Sequence, residues 1–327
     1  MIKSPLRRLL LAIAGIAAVA PASAQNFPSR PIQVVVPYSP GGPTDVVARL
    51  MSQRLAERLG SSVVVQSMPG AGGSLGTAFV SRAKPDGYTL LFGVNSMAIF
   101  PFTRPASNPL PFDPTEFAPV AGIAESAHVI VASKSAGVHN IAEMVELAKK
   151  KEDALSFGSS GVGGTTHLPL ALFAHRAGIK LLHVPYKGAA PAMVDTMSGV
   201  VSLSGPGYTS SVKDAIEAGS LVALAVTSAK RFPFLPNVPT WAEQGYPDMV
   251  FPIWYGLFAP KGTPADIVAR LSGELAKMAE EPGYQKQLAS QGNVATYMTP
   301  EQLGTLLKDD IRKLGERLKA SNISLQE

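Results

Sequence analysis

The sequence predicts an α/β fold with two sheets, on three observations. Short apolar runs rich in β-branched residues alternate along the chain with segments of helical periodicity. Three glycine-rich loops each join such a run to a helical segment. The length of 327 residues suits about two domains, at roughly 150 residues per domain. Because unbroken apolar runs indicate strands buried on both faces, we expect parallel sheets covered by helices.

In the first third of the chain, strands and helices alternate from the first apolar run onward. Ile32–Val36 is a continuous apolar run, and residues 46–59 place apolar side chains at helical spacing. Strands are predicted at 63–65 and 88–94, separated by a glycine loop and a helix that ends near Arg82. This order of elements is typical of α/β structure.

The same alternation continues through the middle of the chain. Strands are predicted at 129–132, 155–157, 181–184, 200–203 and 221–226. Helices are predicted between them at 141–150, 166–177, 190–198 and 210–218. After a proline-rich stretch at 232–239, the last third contains predicted helices at 264–278 and 300–321.

The first 24 residues have the pattern of a secretory signal peptide. Lys3, Arg7 and Arg8 precede an apolar run at 9–20, which is too short to span a bilayer of about 30 Å as a helix. Small residues follow at 21–24, where a signal peptidase would cut. We expect cleavage after residue 24 and export to the periplasm; a retained membrane anchor is the alternative.

The charge of the remaining chain argues against nucleic-acid binding. Loss of Lys3, Arg7 and Arg8 lowers the net charge from +5 to +2. The one basic run longer than a pair, at 149–151, ends a predicted helix and indicates a solvated face. The basic surface that nucleic acid needs is therefore missing. No later segment has 18 consecutive apolar residues, so we expect no membrane insertion of the mature chain.

The residue types that bind metals or cofactors are sparse or badly spaced. The chain has no cysteine, which excludes disulfides, thiolate-held metals, a cysteine nucleophile and a lipid-modified N-terminal cysteine. The histidines show neither H-x-x-x-H nor H-x-H spacing, and no lysine follows any glycine loop as it does in a phosphate-binding loop. We therefore expect no metal and no cofactor. The five histidines are His128, His139, His167, His175 and His183.

The three glycine loops, at 37–45, 69–76 and 158–167, are the strongest functional signal. In an open α/β sheet, loops that leave the carboxyl ends of strands line the ligand crevice. Glycine lets backbone approach a ligand closely, and the free N–H groups at the start of the next helix favour an anion. The structural alternative is that these residues only cap helices and make tight turns.

One catalytic motif occurs, in a context that does not suit it. Gly72, Ser74 and Gly76 satisfy G-x-S-x-G, the nucleophile elbow of serine hydrolases. An elbow turns directly from strand to helix, whereas residues 66–71 intervene here, and no histidine follows His183. We expect no enzyme; an exported hydrolase using Ser74 is the alternative from a different class.

The glycine loops belong to a longer series of motifs. The series is F-P-S-R-P-I (27–32), V-V-V-P-Y-S-P-G-G-P-T-D (34–45), P-G-A-G-G-S-L-G-T (69–77), P-D-G-Y-T-L-L (85–91), F-D-P-T-E-F-A-P-V (112–120), S-S-G-V-G-G-T-T-H-L (159–168), H-V-P-Y-K-G-A-A-P-A (183–192), A-V-T-S-A-K-R (225–231), L-P-N-V-P-T (235–240) and G-L-F-A-P-K-G-T-P (256–264). In their order and spacing these motifs resemble the solute-binding receptors of tripartite tricarboxylate transporters, often called Bug receptors.

The resemblance implies a type II periplasmic-binding-protein fold, in which two α/β domains are joined by a two-segment hinge. The chain would cross near 122–127 and 226–228. Domain 1 would comprise 25–125 and 228–327, and domain 2 would comprise 126–227. The receptor would capture a small organic mono- or dicarboxylate in the cleft and deliver it to membrane transporter subunits. We expect a monomer.

The resemblance also assigns ligand-binding positions to this sequence. The first loop contributes Tyr38, Gly41, Gly42, Thr44 and Asp45, and the second loop contributes Ala71, Gly72 and Ser74. The opposite wall contributes Ser160, Gly163, Thr165, Thr166, His167, Tyr186 and Gly207. Backbone N–H groups near Gly42 and Gly72 would hold one end of the acid, and Thr165 and Thr166 its carboxylate. Asp45 suits helix capping better than contact with an anion.

One loop departs from the family. Relatives often carry an aspartate motif after the strand at 200–203, whereas residues 204–211 here contain no acid. Since that aspartate would suit a ligand amine, the departure predicts a carboxylate without an amino group.

Overall fold

The structure, a computed structural model, describes residues 27–104, 107–151, 155–162 and 164–321. The expected signal peptide lies outside the described residues, as does Gly163. Within the described part, none of the helices is both long and apolar enough to span a bilayer.

The described residues form eleven strands in two sheets. The prediction of two sheets is confirmed. The six-stranded sheet has the order β2-β1-β3-β10-β4-β11, and the five-stranded sheet the order β7-β6-β8-β5-β9. The strands are β1 (Ile32–Val36), β2 (Val63–Ser67), β3 (Thr89–Val94), β4 (Ala118–Ala127), β5 (Val129–Ser133), β6 (Ser156–Ser159), β7 (Leu182–Pro185), β8 (Leu203–Ser204), β9 (Leu221–Val226), β10 (Pro252–Ala259) and β11 (Val294–Met298).

The helices cover the sheets. They are α1 (Pro43–Leu59), α2 (Ser74–Ser81), α3 (Ile141–Lys150), α4 (His167–Ala177), α5 (Ala189–Met197), α6 (Ser210–Glu217), α7 (Ala265–Ala279), α8 (Pro282–Ser290) and α9 (Pro300–Ser321). The largest core lies around the first sheet, where β1 is almost fully buried against α1. Separate apolar clusters lie on the second sheet.

The expectation of purely parallel sheets was wrong, because both sheets are mixed. β1 pairs in parallel with β2 and β3, and β6 does so with β7 and β8. β10 runs antiparallel to β3 and β4, and β5 runs antiparallel to β8 and β9. β11 also runs antiparallel to β4. An unbroken apolar run indicates that both faces of a strand are buried, but it does not indicate the direction of the strand.

Two chain segments cross between the sheets side by side. His128 alone separates β4 from β5, so the first crossing is one residue long. On the return, the Thr227 N–H donates to the carbonyl of His128 at 3.0 Å, and the Phe251 N–H donates to the carbonyl of Thr227 at 2.9 Å. These bonds make the two crossings one hydrogen-bonded junction.

The segment between β9 and β10 packs with the second sheet. Trp241 is fully buried in a cluster with β5 and α4, and Phe232 is buried against β9. The domain boundary near Ser228 stays a prediction; this packing favours a second domain that continues to about Phe251.

Helix α9 contacts both halves of the molecule. Leu303 and Leu307, in its first half, pack with Val35 and Trp254 of the first sheet. Leu314 and Leu318, near its end, join the apolar cluster of the second sheet. The helix is thus a third physical connection between the halves.

Candidate functional site

The first glycine loop is organised by a buried carboxylate. Asp45, in the first turn of α1, accepts hydrogen bonds from the Gly41 N–H at 3.0 Å and from Arg49 Nε at 2.8 Å. Ser67 donates to it as well, at 3.2 Å. Burial alone would raise the pKa of Asp45, but these bonds outweigh it and hold the pKa below its usual range. The carboxylate therefore fixes the loop and does not face the cleft.

Tyr38 connects the first loop to the second. Its hydroxyl lies 2.6 Å from Ser96 Oγ and 3.2 Å from the carbonyl of Gly72. Burial raises the pKa of this hydroxyl well above its usual value, so it stays protonated. The ring forms part of the cleft wall.

The second loop turns through a left-handed backbone. Ala71, Gly72 and Gly73 have φ values of 46°, 64° and 103°, and they form a short 3₁₀ turn before α2 begins at Ser74. At Gly73 a Cβ atom would lie 3.0 Å from the Tyr38 hydroxyl, so a side chain there would displace Tyr38. The turn separates Ser74 from β2, unlike a nucleophile elbow.

The third loop is closed by two hydroxyl groups. The Ser160 N–H donates to Thr166 Oγ1 at 2.7 Å, and Thr166 Oγ1 donates to Ser160 Oγ at 3.1 Å. Because the single hydroxyl proton of Thr166 is used inside the loop, Thr166 positions Ser160. The hydroxyl proton of Ser160 can still be donated to a ligand.

His167 lies behind the third loop, outside the lining of the cleft. Its ring stacks on His183 at 4.1 Å, and His183 lies 2.6 Å from the buried hydroxyl of Ser159. Burial lowers the pKa of both histidines to about 4, with a further contribution from His183 at His167. Both rings are therefore neutral at pH 7 and pack against Phe157.

A central cavity lies between the two walls. Its free volume is about 30 Å³, enough for one or two water molecules, so an organic acid can enter only when the two walls move apart. Seven predicted positions line it: Tyr38, Gly42, Thr44, Ser160, Thr165, Thr166 and Gly207. Its other lining residues were missed from the sequence: Ser39, Pro43, Val94, His128, Ala189, Ala190, Ile253 and Tyr255.

The remaining predicted positions lie elsewhere. Ala71, Gly72, Ser74 and Tyr186 line a separate, more open cavity beside the first, and Gly41 borders a third. The Tyr186 hydroxyl donates to Asp195 Oδ2 at 2.6 Å; burial and this acidic neighbour raise the pKa of Tyr186 to about 12.

The walls of the cleft touch each other. Ser39 Oγ donates to the carbonyl of Lys187 at 2.8 Å. A Cβ atom on Gly161 would lie 3.3 Å from the Gly72 nitrogen, and one on Gly207 would lie 3.5 Å from Pro43. A site with walls in contact is a closed cleft.

The central cavity has uncharged walls that can donate hydrogen bonds. Among the described residues that line it, none is Asp, Glu, Lys or Arg. Burial raises the pKa of Tyr255 and so keeps its hydroxyl protonated. The N-terminus of α1 adds free N–H groups and the positive end of a helix dipole. In the described part of the chain no three His, Cys, Asp or Glu side chains cluster as metal ligands.

Comparison with known proteins agrees with this geometry. Residues 47–323 match the tripartite tricarboxylate transporter family receptor. The chain belongs to that receptor family. The receptor is 35% identical to the protein BugT of Bordetella pertussis over 308 residues, which cover 93% of each chain.

Solved structures confirm the fold. The periplasmic binding protein BugD superimposes with a TM-score of 0.86 at 34% identity, covering 92% of the receptor and 100% of BugD. An adipate-bound protein of R. palustris gives a TM-score of 0.86 at 32% identity, with the same coverage. The receptor therefore has the periplasmic-binding-protein architecture expected from its motifs.

Proposed function

We propose that the receptor captures a small organic carboxylate in the central cavity and delivers it to membrane transporter subunits. The observation that carries this proposal is the uncharged, donor-rich cavity between α1 and the third loop. A carboxylate there keeps its charge only if hydrogen bonds replace its hydration. A relative with this fold binds adipate, a dicarboxylate.

Each of the two walls binds a different end of the acid. Backbone N–H groups near Gly42 and Thr44 hold one end of the acid, where the dipole of α1 favours negative charge. The hydroxyls of Ser160 and Thr165 hold a carboxylate from the other wall, in place of the predicted pair Thr165 and Thr166. Gly207 leaves room for the ligand body.

Binding closes the cleft between the half of the molecule built on the first sheet and the half built on the second sheet, to which residues 228–251 pack. Hinge closure of this kind occurs in periplasmic binding proteins generally. The cross-cleft contact between Ser39 and Lys187 belongs to the closed form. Cleavage after residue 24 would release the mature receptor to the periplasm as a monomer.

The proposed receptor is not an enzyme. Ser74 follows a 3₁₀ turn and does not stand on a direct turn from strand to helix, as the nucleophile of a serine hydrolase does. The carboxylate has no amino group, since the loop at 204–211 offers no acid to pair with one.

A thermal-shift screen tests the proposal directly. The mature protein is mixed with a panel of mono- and dicarboxylic acids and with aspartate and glutamate. A ligand at 100 times its Kd adds about 2.7 kcal/mol of stability, so a true ligand raises Tm. We expect plain carboxylates to raise it and the amino acids to have no effect.

Variants locate the binding site. Thr165→Val should weaken a carboxylate hit about 10- to 150-fold, because a hydrogen bond to a charged group is lost. Thr305→Val, on the exposed face of α9, is the matched control and should bind as the parent does. Absence of any carboxylate response, or ester hydrolysis abolished by Ser74→Ala, would contradict the proposal.

A further inference from the structure

His128 has an unusual position in the cleft. It is 1% exposed, it forms the whole of the first crossing between the sheets, and it lines the central cavity. Its N–H donates to Thr227 Oγ1 and its carbonyl accepts from the Thr227 N–H, both at 3.0 Å. The backbone on both sides is thus fixed, and the ring has a defined position.

The ring of His128 has one bonded and one unbonded nitrogen. Nδ1 lies 2.9 Å from the carbonyl of Gly205. Because a carbonyl only accepts, Nδ1 carries the proton of that hydrogen bond. Nε2 is buried and has no hydrogen-bond partner among the described residues.

The protonation state of the ring defines what Nε2 can do. Burial lowers the pKa of His128 to about 4, against a smaller opposing effect of the Gly205 carbonyl. At pH 7 the ring is therefore neutral, and with the proton on Nδ1 the Nε2 atom is a hydrogen-bond acceptor. His128 lines the central cavity, and its Nε2 atom can only accept, whereas the hydroxyl groups that line the cavity can both donate and accept.

We propose that His128 Nε2 accepts a hydrogen bond from a hydroxyl group of the ligand, which makes the preferred ligand a hydroxycarboxylate. This inference rests on the proposed function, since it concerns the same cavity. A carboxylate oxygen would face the lone pair of Nε2 and repel it, whereas a hydroxyl group satisfies it. A buried acceptor left without a donor costs binding energy, so an acid without the hydroxyl binds less well.

The test compares acids that differ only in a hydroxyl group. Calorimetric titrations use L-malate, D-malate and succinate as one set and lactate and propionate as another. We expect at least one hydroxy acid to bind about 10- to 100-fold more tightly than its deoxy partner. For malate we also expect one enantiomer to be preferred, because the position of Nε2 is fixed.

The variant His128→Asn distinguishes the roles of the two ring nitrogens. The asparagine amide can still donate to the Gly205 carbonyl, but nothing replaces Nε2. We expect the ratio of hydroxy to deoxy affinity to fall to within about 3-fold. His175→Asn, at an exposed position of α4, is the control and should keep the parent ratio.

A measurement on the unaltered protein covers the case in which the variant does not fold. In ¹⁵N NMR spectra of the complex at pH 7, Nε2 of His128 should have the shift of an unprotonated nitrogen. Equal affinity for hydroxy and deoxy acids, discrimination that persists in His128→Asn, or a protonated Nε2 would each overturn the inference while leaving carboxylate binding intact. If no carboxylate binds at all, the proposed function itself is wrong.

Discussion

At the scale of single residues, burial determines the chemistry of the cleft and its surroundings. His128, His167 and His183 are all held neutral because burial lowers each pKa to about 4. Asp45 is held ionised because Arg49 and the Gly41 N–H outweigh its burial. A cavity with neutral rings and no charged lining residue among those described attracts an anion through directed hydrogen bonds and the dipole of α1, which makes binding specific in geometry.

The lowered histidine pKa values predict a loss of stability in acid. In the unfolded chain a histidine titrates near 6.5, so between pH 6.5 and 4 the unfolded state binds protons that the folded state does not. The free energy of unfolding should therefore fall as the pH falls through this window, by roughly 2 kcal/mol at pH 5 for His128. Urea denaturation at pH 7.5 and pH 5 measures it. His128→Asn should show a smaller decrease; an unchanged decrease would contradict the prediction.

At the scale of elements, sequence patterns correctly predicted the helices and strands that are buried by elements next to them in the sequence. The apolar run of β1 and the spacing in α1 were enough to place the first loop, and with it Gly42 and Thr44. The sequence prediction lacked β4, β10, β11 and α8. In β4 and β10, glycines weaken the apolar signal: a Cβ atom on Gly122 would lie 2.7 Å from the Met298 side chain, and one on Gly256 would lie 2.9 Å from Leu303.

The missed residues of the site have a related cause. His128 and Tyr255 reach the cavity because β4, β5 and β10 meet at the crossing, which is a tertiary arrangement without a local motif. The only sequence signal for His128 was a lone histidine between two apolar segments. Its role in the site can be recognised only when the positions of both crossings are known. The glycine loops, in contrast, carry their backbone geometry in their own sequence.

Helix α9 gives a prediction at this scale. Leu314 is 7% exposed and packs in the second-sheet cluster, although most of α9 follows the first sheet. Leu314→Ala should destabilise the protein by about 2–3 kcal/mol through the cavity it leaves. Lys308→Ala, exposed on the same helix, should change stability by less than about 0.5 kcal/mol. Guanidinium denaturation compares them, and equal midpoints would show that α9 does not stabilise the second half.

At the scale of the whole molecule, the fold creates a site that neither sheet has alone. The first sheet supplies Gly42, Thr44 and Tyr255, the second supplies Ser160 and Thr165, and the crossing supplies His128. The net charge of +5 of the full sequence says little about this site, because the described lining residues are uncharged. Recognition depends on bringing the two walls together, which is what hinge closure does.

A crystal structure of the mature protein with a carboxylate from the thermal-shift screen would show where the ligand binds. We expect the acid in the central cavity, with its carboxylate oxygens about 2.7–3.2 Å from donors on both walls, near Thr44 on one side and at Ser160 or Thr165 on the other. An acid bound instead in the open cavity beside Ser74 and Tyr186, or touching one wall only, would contradict it.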